Sequence, residues 1–221
     1  MPPMASNART WTIPGLAESG AQARILNAAL RCFARYGYAR TRMTDIAKEA
    51  AVSRTALYNS YPSLPDVFRA LSQRVNQGVR RAVIEAAATE GDLTIRLQAV
   101  ITARVSWAFD ALHLSEHGRE LIDAKNALCG KAGADTEAQF RQLLARIIAE
   151  TGVAPNAAAS AATLIVACIP GLIAEQTSVA AARAQVVQFV RIFAAGLKTE
   201  PATAPVARRA RVSAKKPSAT R

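Results

Sequence analysis

The chain has 221 residues, of which 51% are hydrophobic, and its 28 Lys+Arg outweigh 16 Asp+Glu to give a net charge of +12. That length allows one sizeable domain or two small ones, and that apolar share excludes wholesale disorder. Alanine supplies 49 residues and aromatics only 12, so the best helix former is abundant, strand formers are scarce, and the expected fold class is all-α.

Residues 1–19 lack any helical period and read as a flexible amino-terminal arm. From residue 21 onward, Leu26, Leu30, Phe33 and Tyr36 recur at three- and four-residue spacing, with Arg24, Asn27, Arg31 and Arg35 on the other side. This predicts an amphipathic helix of about four turns that stops near Gly37. A short second helix is expected over 42–50, with Thr41 as its N-cap and Ile46 as its core residue. Ser53 then caps a third, whose Val52 and Leu57 point inward and which ends by Tyr61, ahead of Pro62. Pro65 opens a long fourth helix with Val67, Phe68, Leu71 and Val75 on its apolar face. Further helices are expected over 92–114, 115–129, 135–150, 156–178 and 179–198, with Gly130 and Gly133 among the separators. Residues 199–221 are Ala, Pro, Arg, Lys and Ser almost throughout and read as a disordered basic tail.

The charge is concentrated. Residues 20–69 carry a net +5 and residues 200–221 another +5, whereas residues 70–199 carry only +2. Two basic regions around a near-neutral body point to a polyanionic partner, nucleic acid above all.

Residues 43–61, MTDIAKEAAVSRTALYNSY, have the dimensions of a helix-turn-helix: a short helix, a turn of about three residues, and a second short helix. With Ile46, Val52 and Leu57 directed inward, the outer face of the second helix carries Arg54, Thr55, Tyr58 and Asn59. Arginine offers a bidentate fork to guanine, asparagine to adenine, and threonine a methyl contact for thymine. Tyr58 and the Ser53 hydroxyl suit phosphate oxygens, and Arg42 and Lys48 add phosphate-directed charge.

Residues 21–70 resemble the DNA-binding domain of the tetracycline-repressor (TetR) family of bacterial transcriptional regulators. The matching pieces are Ile25-Leu26-x-Ala28-Ala29-x-x-x-Phe33, Gly37-Tyr38-x-x-Thr41, Asp45-Ile46-Ala47 and Val52-Ser53-Arg54-x-x-Leu57-Tyr58. The resemblance implies a homodimer whose third helix reads the major groove, and a helical carboxy-terminal body that binds a small-molecule effector and pairs the subunits. It implies a helix-turn-helix domain over 20–64 and an effector-binding and dimerisation domain over 65–198, paired through about 156–198. Two positions depart from the family pattern. Ala51 stands where glycine is usual in the turn, at a cost on the order of 1 kcal/mol if φ is positive there. Leu64 stands where lysine usually opens the fourth helix, which removes one phosphate contact.

Residues 151–174 contain no charged side chain. Pro155, Asn156, Ser160, Thr163 and Pro170 within that stretch favour a subunit interface over a membrane span. Cys32, Cys129 and Cys168 have neither pairing nor metal-ligand spacing, and no signal-like apolar run precedes Gly20. A cytoplasmic protein with reduced thiols, no metal and no cofactor is therefore expected. His113 and His117 read as a solvent-facing pair, and no constellation for catalysis is present, so an enzyme is not expected. An effector pocket is placed at Arg104, Trp107 and Ala111 on one helix and Phe140 and Leu144 on another, where Arg104 beside Trp107 suits a ligand both apolar and acidic. The leading function is a ligand-responsive repressor on a palindromic operator. The alternatives are an architectural, sequence-tolerant DNA-binding protein driven by the basic tail, and a small-molecule carrier that has lost DNA binding.

Overall fold

A computed structural model describes residues 20–113, 115–174 and 176–199. The expected arm over 1–19 and nearly all of the tail over 199–221 lie outside the described residues. Among those described, eight helices and no strand occur, as the alanine-rich composition predicts.

The first three helices are α1 (Ala21–Tyr36), α2 (Met43–Glu49) and α3 (Arg54–Ser60). The periodic face of α1 buries Ile25, Leu26, Ala29, Leu30 and Phe33. It stops at Gly37, whose φ of 78° lies in the region a side chain disfavours and whose missing Cβ leaves room for the Glu120 carboxylate. Thr41 is not the α2 N-cap. It is buried, and its Oγ1 donates to the Gly37 carbonyl at 2.6 Å, which fastens the connecting loop instead. The cap position belongs to Arg42, whose backbone N–H donates to Asp45 Oδ2 at 3.0 Å. Ser53 does cap α3: its Oγ accepts from the Ala56 N–H at 3.0 Å.

The long α4 (Leu64–Ala87) opens behind Ser63, whose Oγ accepts from the Asp66 N–H at 3.4 Å, with Pro65 in the first turn where its missing donor matters little. Two hydrophobic cores meet along this helix. Val67, Phe68 and Leu71 pack with α1, α2 and Leu57 in the first. Val79 and Val83 belong to the second, with α5 (Leu93–Leu112), α6 (Gly118–Ala149), α7 (Pro155–Ala174) and α8 (Val179–Thr199). One rigid helix thus runs from the first core into the second. Phe33, Tyr38 and Phe68 form an aromatic cluster at the first core, with ring centroids 4.9 to 5.8 Å apart.

The expected break between residues 129 and 135 is a kink, not a stop. α6 runs through Gly130 and Gly133 with only Cys129 departing from helical geometry (φ −127°, ψ 17°). Each glycine costs about 1 kcal/mol in a helix interior. Burial on both sides outweighs that: Cys129 sits against the first core, and Phe140, Leu144, Ile147 and Ile148 sit in the second. The expected solvent-facing histidine pair holds for His113, which is exposed, but not for His117. His113 ends α5, stacked on Phe109, whereas the His117 side chain is only 11% exposed at the start of α6.

The α2–α3 turn is a Schellman motif. Val52 N–H bonds the Ala47 carbonyl at 3.1 Å and Ala51 N–H bonds that of Lys48 at 3.2 Å. Ala51 occupies the left-handed position, with φ 52°, and is the one non-glycine residue with positive φ among the described residues. Ala51→Gly should therefore raise unfolding stability by about 0.5 kcal/mol, the left-handed penalty less the entropy of a freer unfolded chain. Urea titration checks it; an unchanged or lowered midpoint would refute the strain.

Burial pushes the Cys32 thiol up to about 11. At pH 8 only about one part in a thousand is thiolate, and it is shielded by the first core. Thiol labelling of Cys32 should track global unfolding in denaturant, whereas prompt labelling of the native protein at that position would contradict the packing.

Candidate nucleic-acid interface and internal cavity

α3 is fixed by one side chain and one turn. Leu57 is fully buried beneath it, and the Schellman turn sets its angle to α2. A seven-residue helix held this way presents its remaining side chains outward. Arg54, Thr55, Tyr58 and Asn59 are all exposed, Tyr58 at 47%. Arg42 and Lys48 flank them, also exposed, at the start and the last turn of α2. Ser53 accepts at the cap with one lone pair, and the residue is exposed, so its hydroxyl can still donate. All seven side chains expected to meet DNA are therefore on the surface. Among the described residues none of Arg42, Lys48 and Arg54 is engaged in an ion pair, so their donors are available to phosphate or base edges. Three other basic residues of the head are already engaged: Arg31 pairs with Glu49 at 2.6 Å and Arg69 with Asp66 at 2.8 Å. Arg40 donates to the Tyr36 carbonyl at 3.0 Å and lies 3.4 Å from His117 Nε2. Leu64 is half-buried against the first core, so apolar packing replaces a charge there.

A junction ties this head to the body. The Ala39 N–H, in the α1–α2 loop, donates to Glu120 Oε1 at 2.9 Å, and His117 Nδ1 lies 3.5 Å from Glu120 Oε2. The start of α6 therefore grips the loop that leads into α2.

Behind the junction is a cavity of about 270 Å³ whose wall takes residues from α1, α4, α5, α6 and α7. Arg104, Trp107 and Ala111, one turn apart on α5, line it as their spacing predicts. Phe140 does not. It lies under the Arg104 guanidinium, 5.9 Å from ring centroid, and faces a neighbouring cavity of about 510 Å³ with Arg80 and Arg146. Leu144 lines neither cavity; it is fully buried in the second core. Sequence reasoning missed Lys125, which stands on the cavity wall opposite α5. Its signal was legible: Leu121, Lys125 and Leu128 share one helical stripe, and a cation within an apolar stripe is out of place.

A short helix with Arg54, Thr55, Tyr58 and Asn59 exposed along it, clamped to a second by a fixed turn, has the geometry of a helix-turn-helix. Residues 25–71 match the family described as bacterial regulatory proteins, tetR family. Over those residues the chain is similar to that family of DNA-binding transcriptional regulators. Solved structures agree in fold. A bacterial regulatory protein of the tetR family from Rhodococcus RHA1 is 24% identical, with 82% of this chain and 97% of that one covered at a TM-score of 0.59. A second transcriptional regulator from Rhodococcus sp. RHA1 is 16% identical over 82% of this chain and all of its own, with a TM-score of 0.65. A TetR-family regulator from Pectobacterium atrosepticum is 22% identical, covering 81% and 95% at 0.58.

Proposed function

We propose that the protein is a ligand-responsive repressor that binds a near-palindromic operator as a homodimer. The observation that carries the DNA-reading part is the outer face of α3, where Arg54, Thr55, Tyr58 and Asn59 are exposed together. A two-fold dimer would set two such helices in successive major grooves, roughly 34–36 Å apart or a multiple of that. Ser53, Arg42 and Lys48 take phosphates and fix the register.

The dimer reading rests on an apolar face left uncovered. α7 is long and apolar enough to cross a bilayer, yet only 33% of its most apolar window is buried. Leu164 is 58% exposed, and on α8 Val187 and Ile192 are 44% and 63% exposed. Small exposed residues at Ser160, Ala167 and Gly171 continue the α7 stripe, which suits close helix packing against a second copy.

Effector control rests on the cavity and the junction. A ligand between α5 and α6 presses on the helix whose first turn holds Ala39 through Glu120. Any shift of α6 is passed to the α1–α2 loop and so to the spacing of the two reading helices. The proposed division is a DNA-binding head over 20–64 and an effector and dimerisation body over 65–198, joined by α4, whose Val67, Phe68 and Leu71 complete the core of the head.

Footprinting on DNA flanking the protein's own gene, at about 150 mM salt with excess random competitor, tests the reading. A bounded protected patch with two-fold symmetry is expected. Protection along the whole fragment would replace a sequence-specific repressor with a sequence-tolerant DNA binder.

A further inference from the structure

We infer that the cavity between α5 and α6 is built for a compact apolar carboxylic acid, its carboxylate held between Arg104 and Lys125 and its body against Trp107 and the α4 side chains. The inference rests on the effector reading above and adds the chemical class of the effector. Apolar side chains make most of the wall: Leu71, Val75 and Val79 from α4, Trp107 from α5, Leu121 and Ile122 from α6. Two cations interrupt it. Arg104 and Lys125 stand on facing helices, both half-buried, and neither forms an ion pair among the described residues. The acid that both feel, Glu137, is taken by Arg141 at 3.2 Å.

Two like charges in an apolar chamber without an acid are a costly arrangement. Desolvation pushes the Lys125 amine down, and repulsion from Arg104 pushes it further; desolvation also lowers the Arg104 guanidinium. An entering carboxylate relieves both effects at once, because each cation gains an anionic acceptor. A cationic ligand would add a third positive charge, and a neutral one would leave both cations unpaired. Ser72 and Asn76, also on the wall, can donate to the remaining carboxylate lone pairs. At about 270 Å³ the chamber falls below the range for drug-sized ligands, so the body is small: a medium acyl chain or a single aryl ring. Leu30 and Phe33 of α1 share the wall, so the body of such an acid touches the DNA-binding head directly.

The protein has two tryptophans, Trp11 and Trp107, so a Trp11→Phe background leaves Trp107 as the reporter. Fluorescence titration with octanoate, octanamide and octylamine, repeated with 4-phenylbutanoate and its amide, reads the charge preference. Octanoate should bind about ten- to a hundredfold more tightly than octanamide, with no saturable binding of octylamine, and of all the probes only the two carboxylates should change operator affinity. Lys125→Met should lower the carboxylate-to-amide ratio by about tenfold and, by removing an unpaired buried cation, raise the melting midpoint of the ligand-free protein. That rise also shows that the variant folds. Equal binding of octanamide or octylamine, or an unchanged ratio in Lys125→Met, overturns the carboxylate assignment while leaving an effector cavity in place. If no probe of any charge binds, both the assignment and the effector reading fall.

Discussion

The double substitution Leu164→Glu, Ile192→Glu is expected to leave folded monomers that no longer hold operator DNA. Both side chains are more than half exposed on α7 and α8, so neither core loses packing. A carboxylate at each position would have to be buried without a partner when two copies meet, and that desolvation outweighs the apolar contact it replaces. DNA binding falls with dimerisation because the second half-site is engaged at the effective concentration that the linkage provides. Losing that linkage should weaken operator affinity by about two to four orders of magnitude, with random-sequence binding reduced far less. Sedimentation at micromolar concentration and operator titration measure the two effects. Cys168 offers an internal check: it is exposed on the same α7 stripe, so its thiol should be protected in the wild-type dimer and label promptly in the variant. A wild-type protein that sediments as a monomer, or a double variant that remains dimeric, would remove α7 and α8 from the interface.

The parts of the molecule legible in the sequence are those where one residue's chemistry decides a local structure. Ser53 caps α3 because its hydroxyl meets an unsatisfied N–H in the first turn, and that follows from sequence position alone. Ala51 stood out only through the family resemblance, which has glycine at that position, and its φ of 52° meets the condition for the expected strain. The exposed face of α3 followed from helical period, because Leu57 could point only one way.

What was hidden depends on contacts between distant segments. Thr41 resembles a cap, but the Gly37 carbonyl competes for its hydroxyl at 2.6 Å and prevails. Gly130 and Gly133 look like stops until packing on either side is counted. His117 looks solvent-facing until α6 folds its first turn against the α1–α2 loop, where Arg40 and Glu120 surround it. Leu144 carries the same pattern as a pocket residue and becomes core because the cluster that α6 shares with its neighbouring helices buries it completely. Lys125 is the reverse case, a residue whose local pattern was abnormal and whose reason is a cavity formed by five helices.

Arg54 and Lys48 provide the second large effect, because the proposed DNA interface gives them different tasks. Arg54 opens α3 with its guanidinium exposed and unpaired, at the end of the helix that would enter the major groove. There its fork can meet two acceptors on one guanine. Arg54→Ala should cost about 1–3 kcal/mol on the operator and relax preference at one base pair per half-site. Lys48 lies in the last turn of α2, outside the groove-facing surface of α3. Its ammonium can neutralise a phosphate but reads no base, so Lys48→Ala should weaken operator and random DNA alike and make the salt dependence shallower by about one unit of slope. Neither change disturbs Leu57 or the Schellman turn, so thermal stability should stay near wild type in both variants. Titrations of the two variants against operator and random duplexes at several salt concentrations separate the roles. The assignment requires a drop in the specificity ratio for Arg54→Ala and not for Lys48→Ala. Equal proportional losses on both DNAs for Arg54→Ala would place that arginine on the phosphate backbone and leave base reading to Thr55 and Asn59.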